Sequence, residues 1–119
     1  MKQLVLMITT AALAIAADVS VSGKWQVHMS VAGSDSDSTC TFAQKDNDLT
    51  GTCESDQGSK NVTGKVDGKK ITWSYKADYN GTPLTVNFEG TLSSDDKIVG
   101  TTSTPEFSVE GDFTATRAK

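Results

Sequence analysis

The chain has 119 residues, with 11 Lys and Arg against 15 Asp and Glu, one His and two Cys. That length allows one domain with one modest core. An acidic balance without basic clusters argues against a surface built to hold nucleic-acid phosphates or anionic membrane.

Met1-Lys2 supplies a positive start, Leu4 to Ile15 an apolar stretch, and Ala14-Ile15-Ala16 a small-residue cleavage pattern. Residues 1–17 therefore read as a signal peptide, too short to span a bilayer, and residues 18–119 as a single β-barrel domain. The mature domain keeps ten bases against fifteen acids. Export is expected, to the periplasm or out of the cell.

After the leader no window has a helical period, whereas period-two alternation recurs between turn residues. Trp25, Val27, Met29 and Val31 alternate with polar residues in the first strand. The second and third strands, roughly Ser38–Gln44 and Leu49–Ser55, flank the loop 45–48. That hairpin sets Phe42 against Gly51 and Cys40 against Cys53, close enough for a cross-strand disulfide, as an exported chain favours. Two free buried thiols are the alternative. The fourth strand carries Val62, Gly64 and Val66 before Asp67-Gly68, and the fifth Ile71, Trp73, Tyr75 and Ala77 before Asn80-Gly81. Both dipeptides are hairpin turns, and pairing Val66 with Ile71 puts Trp73 opposite Gly64. Leu84, Val86, Phe88, Gly90 and Leu92 form the sixth strand, and Ile98, Gly100 and Thr102 the seventh. Phe107, Val109, Gly111, Phe113, Ala115 and Arg117 form the eighth.

A glycine recurs on the inward parity of five strands, at Gly51, Gly64, Gly90, Gly100 and Gly111. Such glycines permit tight coiling and leave room for a large neighbour, which points to an all-β, eight-stranded antiparallel up-and-down barrel. A sandwich is the alternative. In the barrel the loops 32–37, 56–59, 78–82 and 103–106 gather at one end, a mouth for one small ligand. The expected ligand-binding residues are Met29, Val31, Tyr75, Leu84 and Phe107 near the mouth, Trp73 and Phe88 deeper, and Tyr79 on the rim. At the other end the Arg117 guanidinium is expected over the Trp25 ring, a structural contact of roughly 0.5–2 kcal/mol.

Gly23-Lys24-Trp25 on the first strand and Arg117 on the last resemble the lipocalin–avidin (calycin) superfamily of ligand-holding barrels. The layout is most similar to avidin-type barrels. Leu49-Thr50-Gly51-Thr52-Cys53-Glu54-Ser55 resembles their third strand, and Trp73 to Tyr79 and Gly111-Asp112-Phe113 follow in the same order. The resemblance covers nearly the whole mature domain. It implies a biotin-type site, but this sequence departs from it at Val27, Val31, Cys53, Leu84, Val86 and Phe88, while Ser55 matches. Losing those polar partners implies a more apolar or aromatic ligand. Bacterial inhibitors of secreted metalloproteases are also similar, with Gly-x-Trp on strand one, an early disulfide and a protease-binding N-terminal tail. A protein-binding module acting through the tail or the mouth loops is therefore the alternative function.

No enzyme is expected. His28 lies on an outward position and reads as a solvated surface residue. No His, Cys and carboxylate group has metal spacing, so neither metal nor cofactor is expected. The carboxylates at Asp35/Asp37, Asp46/Asp48 and Asp95/Asp96 read as polar turns.

Overall fold

In a computed structural model the chain closes into one barrel of eight antiparallel strands, in the order of the sequence, with β1 paired to β8. The structure describes residues 20–56 and 58–118. The expected leader lies outside them. The strands are β1 Gly23–Val31, β2 Ser34–Lys45, β3 Asp48–Ser55, β4 Gly58–Asp67, β5 Lys70–Tyr79, β6 Thr82–Ser94, β7 Lys97–Thr104 and β8 Val109–Arg117.

Single-sided alternation sets the walls. Trp25, Val27, Phe42, Leu49, Val62, Ile71, Trp73, Phe88, Ile98 and Phe113 are buried inside. The outward positions are mostly Thr, Ser and charged residues, as in Gln26, Thr41, Thr52, Lys65, Lys76, Glu89 and Thr114.

Cys40 pairs with Cys53 and the two form a disulfide. Phe42 faces Gly51 and Trp73 faces Gly64. At Gly64 a Cβ atom would lie 1.9 Å from the Thr72 carbonyl oxygen and 2.7 Å from the Trp73 Cα. Only a residue without a side chain lets these two backbones approach so closely.

Three expectations about connections need correction. The segments 32–37 and 78–82 are not loops. Each shrinks to a two-residue turn, Ala32-Gly33 or Asn80-Gly81, whose central residues all have positive φ. That geometry matches the twist of the flanking strands, so pairing runs to Val31 with Ser34 and Tyr79 with Thr82. The Ser34 to Asp37 run is low in strand propensity but is held by β1. Phe107, in turn, is not on the eighth strand. Pro105 cannot donate to the ladder, and the chain makes a 3₁₀ turn over Pro105–Phe107 before β8 begins at Val109.

The end holding the termini is plugged. Val21 and Trp25 are fully buried there, and Trp25 Nε1–H donates to the Val21 carbonyl at 3.0 Å. The Arg117 guanidinium lies 4.4 Å from the Trp25 ring centroid, as the two strand positions imply. It also donates to the carbonyls of Ser22 (2.9 Å), Ser20 (3.1 Å) and Asp95 (3.0 Å). One planar fork therefore ties the segment before β1 and the β6–β7 turn to the last strand. We expect Arg117→Gln to cost about 2 kcal/mol in urea unfolding. Arg117→Lys should recover less than half of that, since an ammonium cannot span three carbonyls. Equal stability of Arg117→Lys and the natural protein would contradict this.

Candidate functional site

Halfway along the barrel the interior is filled by rings. Trp73 stacks on Phe88 with centroids 4.9 Å apart and lies 4.9 Å from Phe42 and 5.2 Å from Phe113. Offset and edge-on contacts of this kind favour a rigid aromatic layer. Trp73 is 2% exposed, and its Nε1–H has no hydrogen-bond acceptor among the described residues. A buried donor left without a partner carries a desolvation penalty of about 1–3 kcal/mol. It marks a place where an acceptor atom would be stabilising.

Above this layer the wall opens. The ladder between β4 and β5 runs only from Asp67 with Lys70 to Thr63 with Ser74, whereas β5 stays paired with β6 as far as Tyr79 with Thr82. The upper halves of β4 and β5 therefore diverge. The cleft between them holds a cavity of about 210 Å³. Tyr75, Ala77, Leu84 and Val86 form its apolar side, and Ser38, Cys53, Ser55 and Lys60 the side across the gap, with Tyr79 and Asp78 at the rim. Burial pushes the Tyr75 phenol up from its ordinary value, so the hydroxyl remains a neutral donor through the physiological range.

The eight expected site residues are thus only partly brought together. Tyr75, Tyr79 and Leu84 border the cavity, and Phe88 and Trp73 belong to the ring layer below, with Phe88 5.9 Å from Tyr75. Met29 packs into the core from β1, on the far wall. Val31 packs at the rim against Gly111, its partner on β8. Phe107 sits outside the interior and meets Tyr79 edge-on at 5.9 Å, the two being 46% and 61% exposed. Sequence reasoning missed Ser38, Lys60, Ala77 and Val86 as cavity residues. Their inward parity was the available signal, because Lys60 continues the series Val62, Gly64, Val66 toward the mouth.

Next to the cleft, β6 has a free edge where β7 stops. Glu106 covers it. Its carboxylate accepts from the Thr85 backbone N–H at 3.0 Å and from the Thr85 hydroxyl at 3.1 Å. These hydrogen bonds hold the Glu106 carboxyl below its usual range. The rim contact is therefore present above the ordinary carboxylate pKa and weakens as acid brings the pH down through the lowered value.

No protein-family model matches the chain, and no curated protein matches it. Its fold has solved counterparts. It is similar to a redesigned beta barrel, b11L5F_LGL, with a TM-score of 0.68 and 19% identity, over 83% of this chain and 92% of that one. It is also similar to mFAP1, a redesigned beta barrel bound to DFHBI (TM-score 0.60, 17% identity), and to EF1p2_mFAP2b bound to DFHBI (TM-score 0.60, 15% identity). Each of these two likenesses covers 82% of this chain and 94% of the other. At such identities the likeness concerns the barrel fold.

Two other concavities differ in character. A basin of about 560 Å³ at the plugged end is bordered by turn residues such as Asp46, Asn47, Lys69 and Ser94, with Val66 and Leu92 at its floor. A groove of about 300 Å³ on the outer wall runs over Thr63, Thr72, Ser74 and Asn87. Both are larger than the mouth cavity, but neither is lined by an apolar wall facing a lysine, and among the described residues the orphaned buried donor, Trp73 Nε1–H, belongs to the ring layer.

His28 is exposed, as expected of an outward residue, but it is paired. Its Nδ1 lies 2.6 Å from Asp37 Oδ1, directly across the β1–β2 ladder, and Nε2 lies 4.0 Å from Asp35 Oδ2. The hydrogen bond to Asp37, helped by the charges of Asp37 and Asp35, holds the imidazole above its ordinary value against the opposing effect of desolvation. A raised folded pKa stabilises the fold fully below the unfolded value of about 6.5, and this is lost as pH climbs through the raised value. Nuclear magnetic resonance of the one histidine should therefore give a midpoint above 6.5, and Asp37→Asn should bring it down. A midpoint at or below 6.5 in the natural protein would contradict the pairing. Among the described residues no three His, Cys, Asp or Glu side chains could hold a metal ion.

Proposed function

We propose that this chain is an exported, non-catalytic barrel that binds a small, mostly apolar molecule in the cleft between the upper halves of β4 and β5. The observation that carries the reading is the cavity of about 210 Å³ over an aromatic floor. It is smaller than the roughly 300–1,000 Å³ of drug-sized ligand pockets, which limits the guest to one or two rings. Trp73 lies in the ring layer beneath the cavity, in contact with Phe88, which in turn meets the cavity residue Tyr75. Two barrels of similar fold were solved bound to the small molecule DFHBI, which supports the same class of use. Export rests on the leader-like residues 1–17, and the absence of catalysis on the lack of a recognisable nucleophile and base pairing in the sequence.

The test is to extract the purified protein with organic solvent and titrate recovered compounds, and a panel of small aromatics, against tryptophan fluorescence. Binding should respond to Trp73→Phe and fall about tenfold or more with Tyr75→Ala. If both variants leave every observed binding unchanged, the proposed mouth is wrong.

The alternative of a protein-binding tail loses its structural basis over Ser20 to Ser22. Val21 is fully buried, its N–H donates to Gln44 Oε1 at 2.9 Å, and Arg117 holds the carbonyls on either side. Over these three residues the chain is fastened to the barrel, which leaves the turns at the mouth as the surface for that alternative.

A further inference from the structure

The cavity is two-sided in a way that names a charge. Resting on the ligand-binding reading above, we propose that its guest is a small aromatic carboxylate, with its rings against Tyr75, Leu84 and Val86 and its anionic head at Lys60.

Lys60 lies directly across the β3–β4 ladder from Cys53, on the inward parity of β4. It is half-buried and borders the cavity. Among the described residues it takes part in none of the ion pairs, which use Lys65, Lys70, Arg117 and His28. Asp78 also borders the cavity, but from the outward parity of β5, and it forms no ion pair with Lys60. The Lys60 stem lies along the barrel wall and its ammonium offers a positive charge at the cavity. The half-buried Ser38 on the same side supplies a hydroxyl donor. The facing side is apolar and aromatic, and it includes the neutral Tyr75 phenol. A guest with one flat apolar body and one carboxylate satisfies both sides at once. A purely apolar guest leaves the ammonium unmatched, and a dianion exceeds the single positive charge that faces it.

The test compares 2-naphthoate with its uncharged amide, 2-naphthamide, followed by ¹H–¹⁵N spectra of the labelled protein. The acid should bind at least about tenfold more tightly than the amide, and added salt should narrow the gap. Its perturbations should centre on Lys60, Tyr75 and Val86. The indole N–H of Trp73 should move while that of Trp25, committed to Val21, should not. Lys60→Met should reduce the acid to the affinity of the amide, and Lys60→Arg should retain most of it. Equal binding of acid and amide at the mouth, unaffected by Lys60→Met, would overturn the charge assignment and leave the apolar site standing. Absence of mouth perturbation with either compound would overturn both.

Discussion

Gly64→Val is expected to cost more than about 3 kcal/mol and to leave little folded protein at 37 °C. The added Cβ would fall 1.9 Å from the Thr72 carbonyl oxygen and 2.7 Å from the Trp73 Cα, both backbone atoms of the partner strand. No rotamer change relieves a clash with backbone, so one strand must move. The seam it would move is the weakest in the barrel, since β4 and β5 share only five paired positions. Trp73, which packs the centre, sits on that seam. Urea unfolding followed by tryptophan fluorescence measures the effect. Thr63→Val, one residue away and facing outward, is the control and should change stability by less than about 0.5 kcal/mol. A Gly64→Val protein within about 1 kcal/mol of the natural one would show that the strands tolerate a side chain there.

Removing the disulfide as Cys40→Ala with Cys53→Ala should cost about 3 kcal/mol, the value expected for closing a loop of this length. The register of β2 and β3 should survive, because Phe42 with Gly51 and Gln44 with Leu49 are set by alternation and by the turn between them. The signature is therefore a lower urea midpoint with an unchanged far-ultraviolet spectrum. Cys53 borders the mouth cavity, so the same variant should also weaken small-molecule binding. Stability unchanged to within about 0.5 kcal/mol would mean that the bridge constrains nothing the ladder does not already hold.

The pairing of the barrel was legible because each decisive contact joins two residues of opposite bulk. Phe42 needs Gly51 and Trp73 needs Gly64, so one register satisfies both alternation and space. Closure followed from the inward glycines that let the strands coil, and the contact of Trp25 with Arg117 across β1 and β8 is its consequence. Connections were less legible. A run such as Gly33 to Asp37 has the composition of a loop, and only the pairing supplied by β1 turns it into strand. Val21 looked like tail because the carbonyls that anchor it are read by Arg117, 96 residues later. The cavity of about 210 Å³ lies at the end read as the mouth, but on fewer walls than the sequence suggested. Where a ladder stops is decided by how two strands diverge in space, which no local pattern records. Lys60 was missed for a related reason. A lysine beside Gly58 and Ser59 resembles a turn until β4 is seen to carry its inward parity that far.

Ala77 stands half-buried on the cavity wall, with room before it and no role in the ring layer. Ala77→Phe would fill the cleft from within while leaving the strands paired. The measurement is calorimetric titration of this variant with whichever aromatic compound the natural protein binds most tightly. Stability at or above that of the natural protein, with affinity reduced at least about tenfold, is the expected result. Undiminished affinity in a folded Ala77→Phe protein would mean that the cleft between β4 and β5 is not where small molecules bind.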